Sequence, residues 1–216
     1  MFVIIHQIFR FFFFHSFLSS FSEINALDPR LGIHNPRLGI HNPRLGIHGN
    51  VLSYSLFGAN PRYFEGAIAN SKLYKIIYPG WIMRVYYDNT VPTWVIKQLR
   101  DHDVELINMT GSKMNKMSWR FQAASNSVRF CSRDIDSRLS LREKSAVDEW
   151  IQSKKYFHIM RDHPSHSIMS KSSFFPILGG MWGSKNIPNI NRLLMNTPTT
   201  NKQQDIYLDD MIFLTN

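Results

Sequence analysis

The chain has 216 residues, 44% hydrophobic and 19% charged, a balance that excludes a wholly disordered or collagen-like polypeptide. Its one cysteine, Cys131, excludes a disulfide framework, and a chain of this length can bury a core without such staples. The formal charge of +9 favours anionic partners, but Lys and Arg are dispersed, with only Lys154 and Lys155 adjacent, which argues against nucleic acid.

Residues 1–26 form a hydrophobic N-terminal segment centred on Phe11 to Phe14 and interrupted by His6, Arg10 and His15. It reads as a signal or membrane anchor through residues 1–21, or else as a buried strand. The first reading implies the secretory pathway or a Golgi membrane, the second the cytoplasm. Residues 27–49 carry a heptapeptide repeat: Pro29 to Asn35 recurs as Pro36 to Asn42 and again from Pro43 to Gly49. One Pro and one Gly per copy forbid a coiled coil, so this is a flexible linker, with weak metal binding by His34, His41 and His48 as the alternative.

From residue 50 to 216 strands alternate with helices. Val51 to Phe57 alternates as a strand, and Gly58 to Pro61 breaks it before a helix over 62–78. Pro79-Gly80 turns into a strand over 81–87, Pro92 opens a helix, and 104–107 is a third strand. A helix over 114–124 leads to a strand at 128–131. Ser140 and Glu143 form a capping box for a helix whose stripe is Ala146, Val147, Trp150 and Ile151. Strands at 156–160 and 174–178 follow. The alternation predicts a Rossmann-like, mostly parallel sheet with flanking helices, its chemistry beyond the carboxyl ends of the strands.

Candidate residues lie at those ends. Asp134 and Asp136, two apart in an extended segment, point to one side and can share a hard divalent cation such as Mn or Mg. Arg133 and Arg138 beside them would neutralise a diphosphate together with that cation; otherwise they simply pair with the acids. An EF-hand fails, because Arg138 and Leu139 stand where a ligand and a glycine are needed. A phospho-aspartate phosphatase would have its first Asp at the strand tip and Thr or Val two residues after the second, whereas Ser132-Arg133 intervene and Arg138 takes the later place, so it is the second choice.

The loop after Met160 offers Arg161, His163 and His166 to phosphate or sugar hydroxyls, in a spacing that fits no zinc site. Gly179 and Gly180 allow close backbone approach, and Trp182 beside them could stack on a sugar. Ser53, Tyr54 and Phe57 could hold a nucleobase or pack in the core. Neither a dinucleotide fingerprint nor a P-loop is present.

Together, Arg133 to Leu139, the helix with Arg142, Glu143 and Ala146 to Trp150, Met160 to His166 and Leu178 to Gly183 resemble glycosyltransferase-like proteins of the A-type nucleotide-sugar transferase fold. Val51 to Gly58, Tyr78 to Trp81, Arg84 to Asp88 and Met117 to Phe121 fit the same group. The resemblance implies a single domain of that fold over 50–216, with Mn or Mg at Asp134 and Asp136 against the diphosphate of a sugar nucleotide. The acceptor would be a glycan, protein or lipid. Gln204-Asp205, with Tyr207-Leu208, is similar to the later acidic segment that faces sugar and acceptor. Asp205 and Asp162 are the candidate bases. No histidine follows His166 to serve as a further ligand, which implies water in that place or a C-terminally truncated, inactive binding domain. Loops 111–116 and 165–173 are candidates to exclude water.

Overall fold

A computed structural model of the protein describes residues 3–6, 48–163, 166, 168–169, 174–175, 177–196 and 209–215. A seven-stranded sheet runs β1 (Val3–His6), β6 (Phe157–Met160), β9 (Met181–Lys185), β5 (Ser127–Arg133), β2 (His48–Leu56), β3 (Ile82–Tyr87), β4 (Glu105–Asn108). All pairs are parallel except the two that β9 makes, with β5 and β6. A short ribbon pairs β7 (Ile168–Met169) with β8 (Phe174–Phe175). The fold is therefore the α/β, mostly parallel, Rossmann-like arrangement expected. From β2 the chain steps outward to β3 and β4, then returns to place β5 on the other side. That reversal of strand order opens a crevice at the carboxyl ends of β2 and β5.

Side-chain alternation along β2 divides the core. Leu52, Tyr54 and Leu56 pack with Phe64, Ala67 and Tyr74 of α1 (Pro61–Ile77), Val95 and Leu99 of α2 (Thr93–Asp101), and Val147 and Trp150 of α3 (Leu141–Gln152). On the opposite face Val51, Tyr86 and Phe130 pack with Trp119 and Phe121 of a 3₁₀ helix (Met117–Ser125) and with Ile190 and Leu194 of α4 (Ile190–Asn196). Phe213 and Leu214 of α5 (Asp209–Thr215) join that second cluster.

Several elements differ from the sequence reading. β2 begins at His48, inside the segment read as linker, because its amide donates to the Asn126 carbonyl and its first residues pair with β5. The helix expected over 114–124 is 3₁₀. Ser53 and Ser55 of β2 take the carbonyls of Arg120 and Met117, and the Arg120 amide donates to Ser55 Oγ, so the sheet competes with the α ladder. The strand expected at 174–178 shrinks to Phe174-Phe175. β9, which fills the sheet between β5 and β6, follows it. Its Gly183 is required, since a Cβ there would stand 2.6 Å from the Phe130 carbonyl oxygen. The first segment supplies the edge strand β1, and the rest of residues 1–47 lies outside the described residues. Among the described residues no helix is long and apolar enough to cross a membrane.

Candidate functional site

β5 runs through Arg133, so Asp134 stands directly at the strand tip rather than two residues beyond it. That removes the strand-tip objection raised against an aspartyl phosphatase, while Arg138 still stands where Thr or Val would be needed. Register then assembles the site. Ser53 pairs with Ser132, so Ser55 and Asp134 come level two residues on. Arg133 pairs with Met181, so Gly180 lies across from Asp134.

Residues 134–137 form a turn closed by the Ser137 amide on the Asp134 carbonyl, not the extended segment expected. Asn70 of α1, fully buried, holds this turn. Its Nδ2 donates to the carbonyls of Ile135 (3.0 Å) and Ser137 (2.9 Å), and its Oδ1 accepts from the Leu139 amide. Gly66, one helical turn earlier, lets α1 approach: a Cβ there would lie 2.8 Å from the Asp136 Cα. The D-x-D turn is thus positioned by a helix and not left to its own loop conformation.

Asp134 and Asp136 line a cleft of about 110 Å³ whose walls include Ser55, Phe57, Tyr63 and Arg120. Two guanidiniums meet the carboxylates there. Arg120, with 4% of its side chain exposed, donates to Asp134 Oδ1 at 2.6 Å and to Asp210 Oδ2 at 2.7 Å. Arg62, 73% exposed, reaches Asp136 Oδ2 at 2.7 Å. Asp134 Oδ2 and Asp136 Oδ1 lie outside those pairs. Burial tends to raise the Asp134 carboxyl, but the charge and hydrogen bond of Arg120 outweigh it and hold Asp134 below the usual aspartate range. Asp210, sharing the same guanidinium, stays above that range because burial outweighs Arg120 there.

A divalent cation fits the free oxygens of this donor set: hard carboxylates at the mouth of an open cleft, 42% of the Asp134 side chain being exposed. Among the described residues no group of three His, Cys, Asp or Glu could cage a metal, so further ligands would come from substrate oxygens and water.

The other sequence candidates separate from the cleft. Arg133 alternates onto the opposite face of the sheet, buried in an ion pair with Glu143, whose second oxygen accepts from the Tyr78 hydroxyl. It is therefore no diphosphate ligand. Burial raises the Glu143 carboxyl despite Arg133. Arg138 is exposed and donates to the Asp136 carbonyl, outside the cleft wall. Tyr54 is wholly buried against the helices, with burial pushing its hydroxyl far upward, and Ser53 spends its hydroxyl on Arg120, so neither meets a base. Phe57 alone of that trio lines the cleft. Trp182 is packed edge-on against Phe121 and Phe130, which excludes sugar stacking.

Gly179 and Gly180 do permit a close approach, but to protein groups. A Cβ at Gly180 would overlap the Asp134 carboxylate, and one at Gly179 the Asp210 carboxylate. Asp162 is held by Arg142 and His166, each at 2.7 Å, and it does not line the cleft, nor do Arg161, His163 and His166. It is not placed as a base for this cleft. Gln204 and Asp205 lie outside the described residues. Sequence reasoning missed Arg120, Asp210, Asn70 and Arg62. Arg120 stands in the Met117 to Phe121 string that carried the resemblance, and Asp210 in an acidic pair just beyond Asp205, so both had a visible signal.

No family model matches the chain, and no curated protein matches it. Among solved structures, 4-diphosphocytidyl-2C-methyl-D-erythritol synthase from Anaerococcus prevotii is similar over 77% of this chain and 84% of its own, at 7% identity and a TM-score of 0.46. PaToxG glycosyltransferase is similar over 77% of this chain and 66% of its own, at 11% identity and a TM-score of 0.29. Neither likeness is close enough to carry the fold, which rests on the strand order above.

Proposed function

We propose that this protein is a metal-dependent glycosyltransferase that takes a sugar from a nucleotide-diphosphate sugar. The observation that supports the reading is the placement of Asp134 and Asp136 on one open cleft at the reversal of strand order. In sheets of this kind a nucleotide sits at that crevice. Asp134 and Asp136 would hold Mn or Mg. When bound, the cation would offset negative charge developing on the departing diphosphate. Arg120 keeps Asp134 ionised and aimed, and Asn70 fixes the turn that carries both acids. Phe57 and Tyr63, which line the cleft, would supply its aromatic contacts to the base or sugar. Asp205 is the remaining candidate to take the acceptor proton. A membrane role that used residues 3–6 would require β1 to leave the sheet edge.

The test is a thermal-shift titration of nucleoside diphosphates with and without Mn. A Mn-dependent shift is expected in the native protein and is lost when Asp134→Asn and Asp136→Asn are combined. Phosphate release from an aryl phosphate without nucleotide or acceptor would favour the phosphatase instead. Binding without any turnover of donor would mark a non-catalytic domain.

A further inference from the structure

The two guanidiniums at the D-x-D turn are not equivalent. Arg120 is enclosed, held by carboxylates through both terminal nitrogens, and closely approached by Gly179, so it has nowhere to go. Arg62 is different. Its backbone is anchored, since its amide donates to Asn60 Oδ1 at the start of α1 and Pro61 precedes it. Its side chain stands 73% exposed and makes a single ion pair, to an Asp136 side chain that is 18% exposed. An exposed pair of that kind contributes little and exchanges readily.

We infer that Arg62 is a placeholder cation: it occupies Asp136 in the empty site, yields that carboxylate to the entering divalent ion, and turns its fork onto the diphosphate that the ion brings. The inference rests on the proposed metal site and adds to it the residue that serves as diphosphate clamp. The reasons are geometric and electrostatic. Arg133 and Arg138, the guanidiniums nearest in sequence, are respectively buried on the other face and turned to a backbone carbonyl. Arg120 is committed to two acids. Arg62 is the arginine at the cleft rim whose only ion pair is to a proposed metal ligand. The carboxylate it holds, Asp136, lines the cleft, so its guanidinium already stands within 2.7 Å of that wall and within reach of a diphosphate bound there. Guanidinium and diphosphate match as planar fork to paired oxygens.

This exchange makes Arg62 a competitor of the metal and an ally of the phosphate, so one substitution must move two affinities in opposite directions. Mn binding would be followed by the loss of the free-ion electron paramagnetic resonance signal, and inorganic pyrophosphate binding by calorimetry at saturating Mn. Arg62→Ala is expected to tighten Mn by about three-fold, the size of a lost surface pair, and to weaken pyrophosphate by about ten-fold, the size of a lost charge-assisted bond. In the Asp136→Asn background, removing Arg62 should leave Mn binding unchanged. Equal Mn affinity in native and Arg62→Ala proteins, or affinities for Mn and pyrophosphate that shift in the same direction, overturns the inference while leaving the metal site intact. Mn bound by neither protein overturns the metal site and the placeholder together.

Discussion

Arg120 shows how a buried charge can organise a site. One guanidinium serves two carboxylates, Asp134 in the cleft and Asp210 behind it, and the pair of acids divides its protons unequally. Asp210 lies above the usual aspartate range because it is buried, so between the ordinary aspartate pKa and that raised value the folded protein retains a proton that the unfolded chain has released. Its contribution to stability is complete below the ordinary aspartate pKa and is lost as pH rises through the raised value. Asp134 runs the other way. Its contribution is present above the ordinary range and disappears only as pH falls through its lowered value. Asp210→Asn removes the first term, so the fall in urea midpoint between about pH 4 and about pH 7 should be smaller in the variant than in the native protein. An unchanged fall would show that Asp210 is ionised throughout. At this scale Asp134 and Asp136, the proposed metal ligands, were legible as a D-x-D after a strand because that pattern needs only local order, and both do line the cleft. Of the two roles open to Tyr54 the structure shows core packing, and Arg133 faces Glu143 rather than the cleft, because a side chain's face depends on register and one residue of slip exchanges cleft for core.

The elements with self-contained signals were the legible ones. Ser140 caps α3 as its spacing implies, its Oγ accepting from the Glu143 amide. The reciprocal half of the capping box is diverted, however: the Glu143 carboxylate serves Arg133 and Tyr78 and so ties the start of α3 to the end of β5. Ser140→Ala should therefore lower stability by about 1 kcal/mol in urea unfolding, with Mn binding retained. Asn60 and Pro61 likewise mark the start of α1 where the chain breaks after β2. The 3₁₀ helix and β9 were illegible for opposite reasons. In the first, serines from a distant strand claim the carbonyls that an α ladder would use. In the second, Gly183 and Ser184 weaken the strand pattern, and only the antiparallel slot between β5 and β6 makes β9 a strand.

Across the whole molecule, α5 returns from the far end of the sequence to complete the wall behind the cleft. Asp209 accepts from Asn115, Asp210 holds Arg120, and Phe213 stacks obliquely near Phe121. Deleting residues 209–216 would leave the buried Arg120 with one carboxylate, Asp134, and the Arg133 carbonyl, and would uncover the aromatic face of the 3₁₀ helix. The melting temperature should fall by roughly 5–10 °C, and the stabilisation by Mn should shrink. A full Mn response without α5 would show that the acids need no support from that end of the chain.

The alternation of apolar runs with capped helices was sufficient to specify an α/β sheet, because periodicity and caps are properties of neighbouring residues. The same local order made the acidic pair at the tip of β5, the proposed site, visible in the sequence. Which arginines face the acids, which aromatics face solvent, and what the paired glycines accommodate depended on contacts between residues tens of positions apart. Those contacts exist only once β5, β9, α1 and α5 have been brought to one end of the sheet, where burial and register assign each side chain its face.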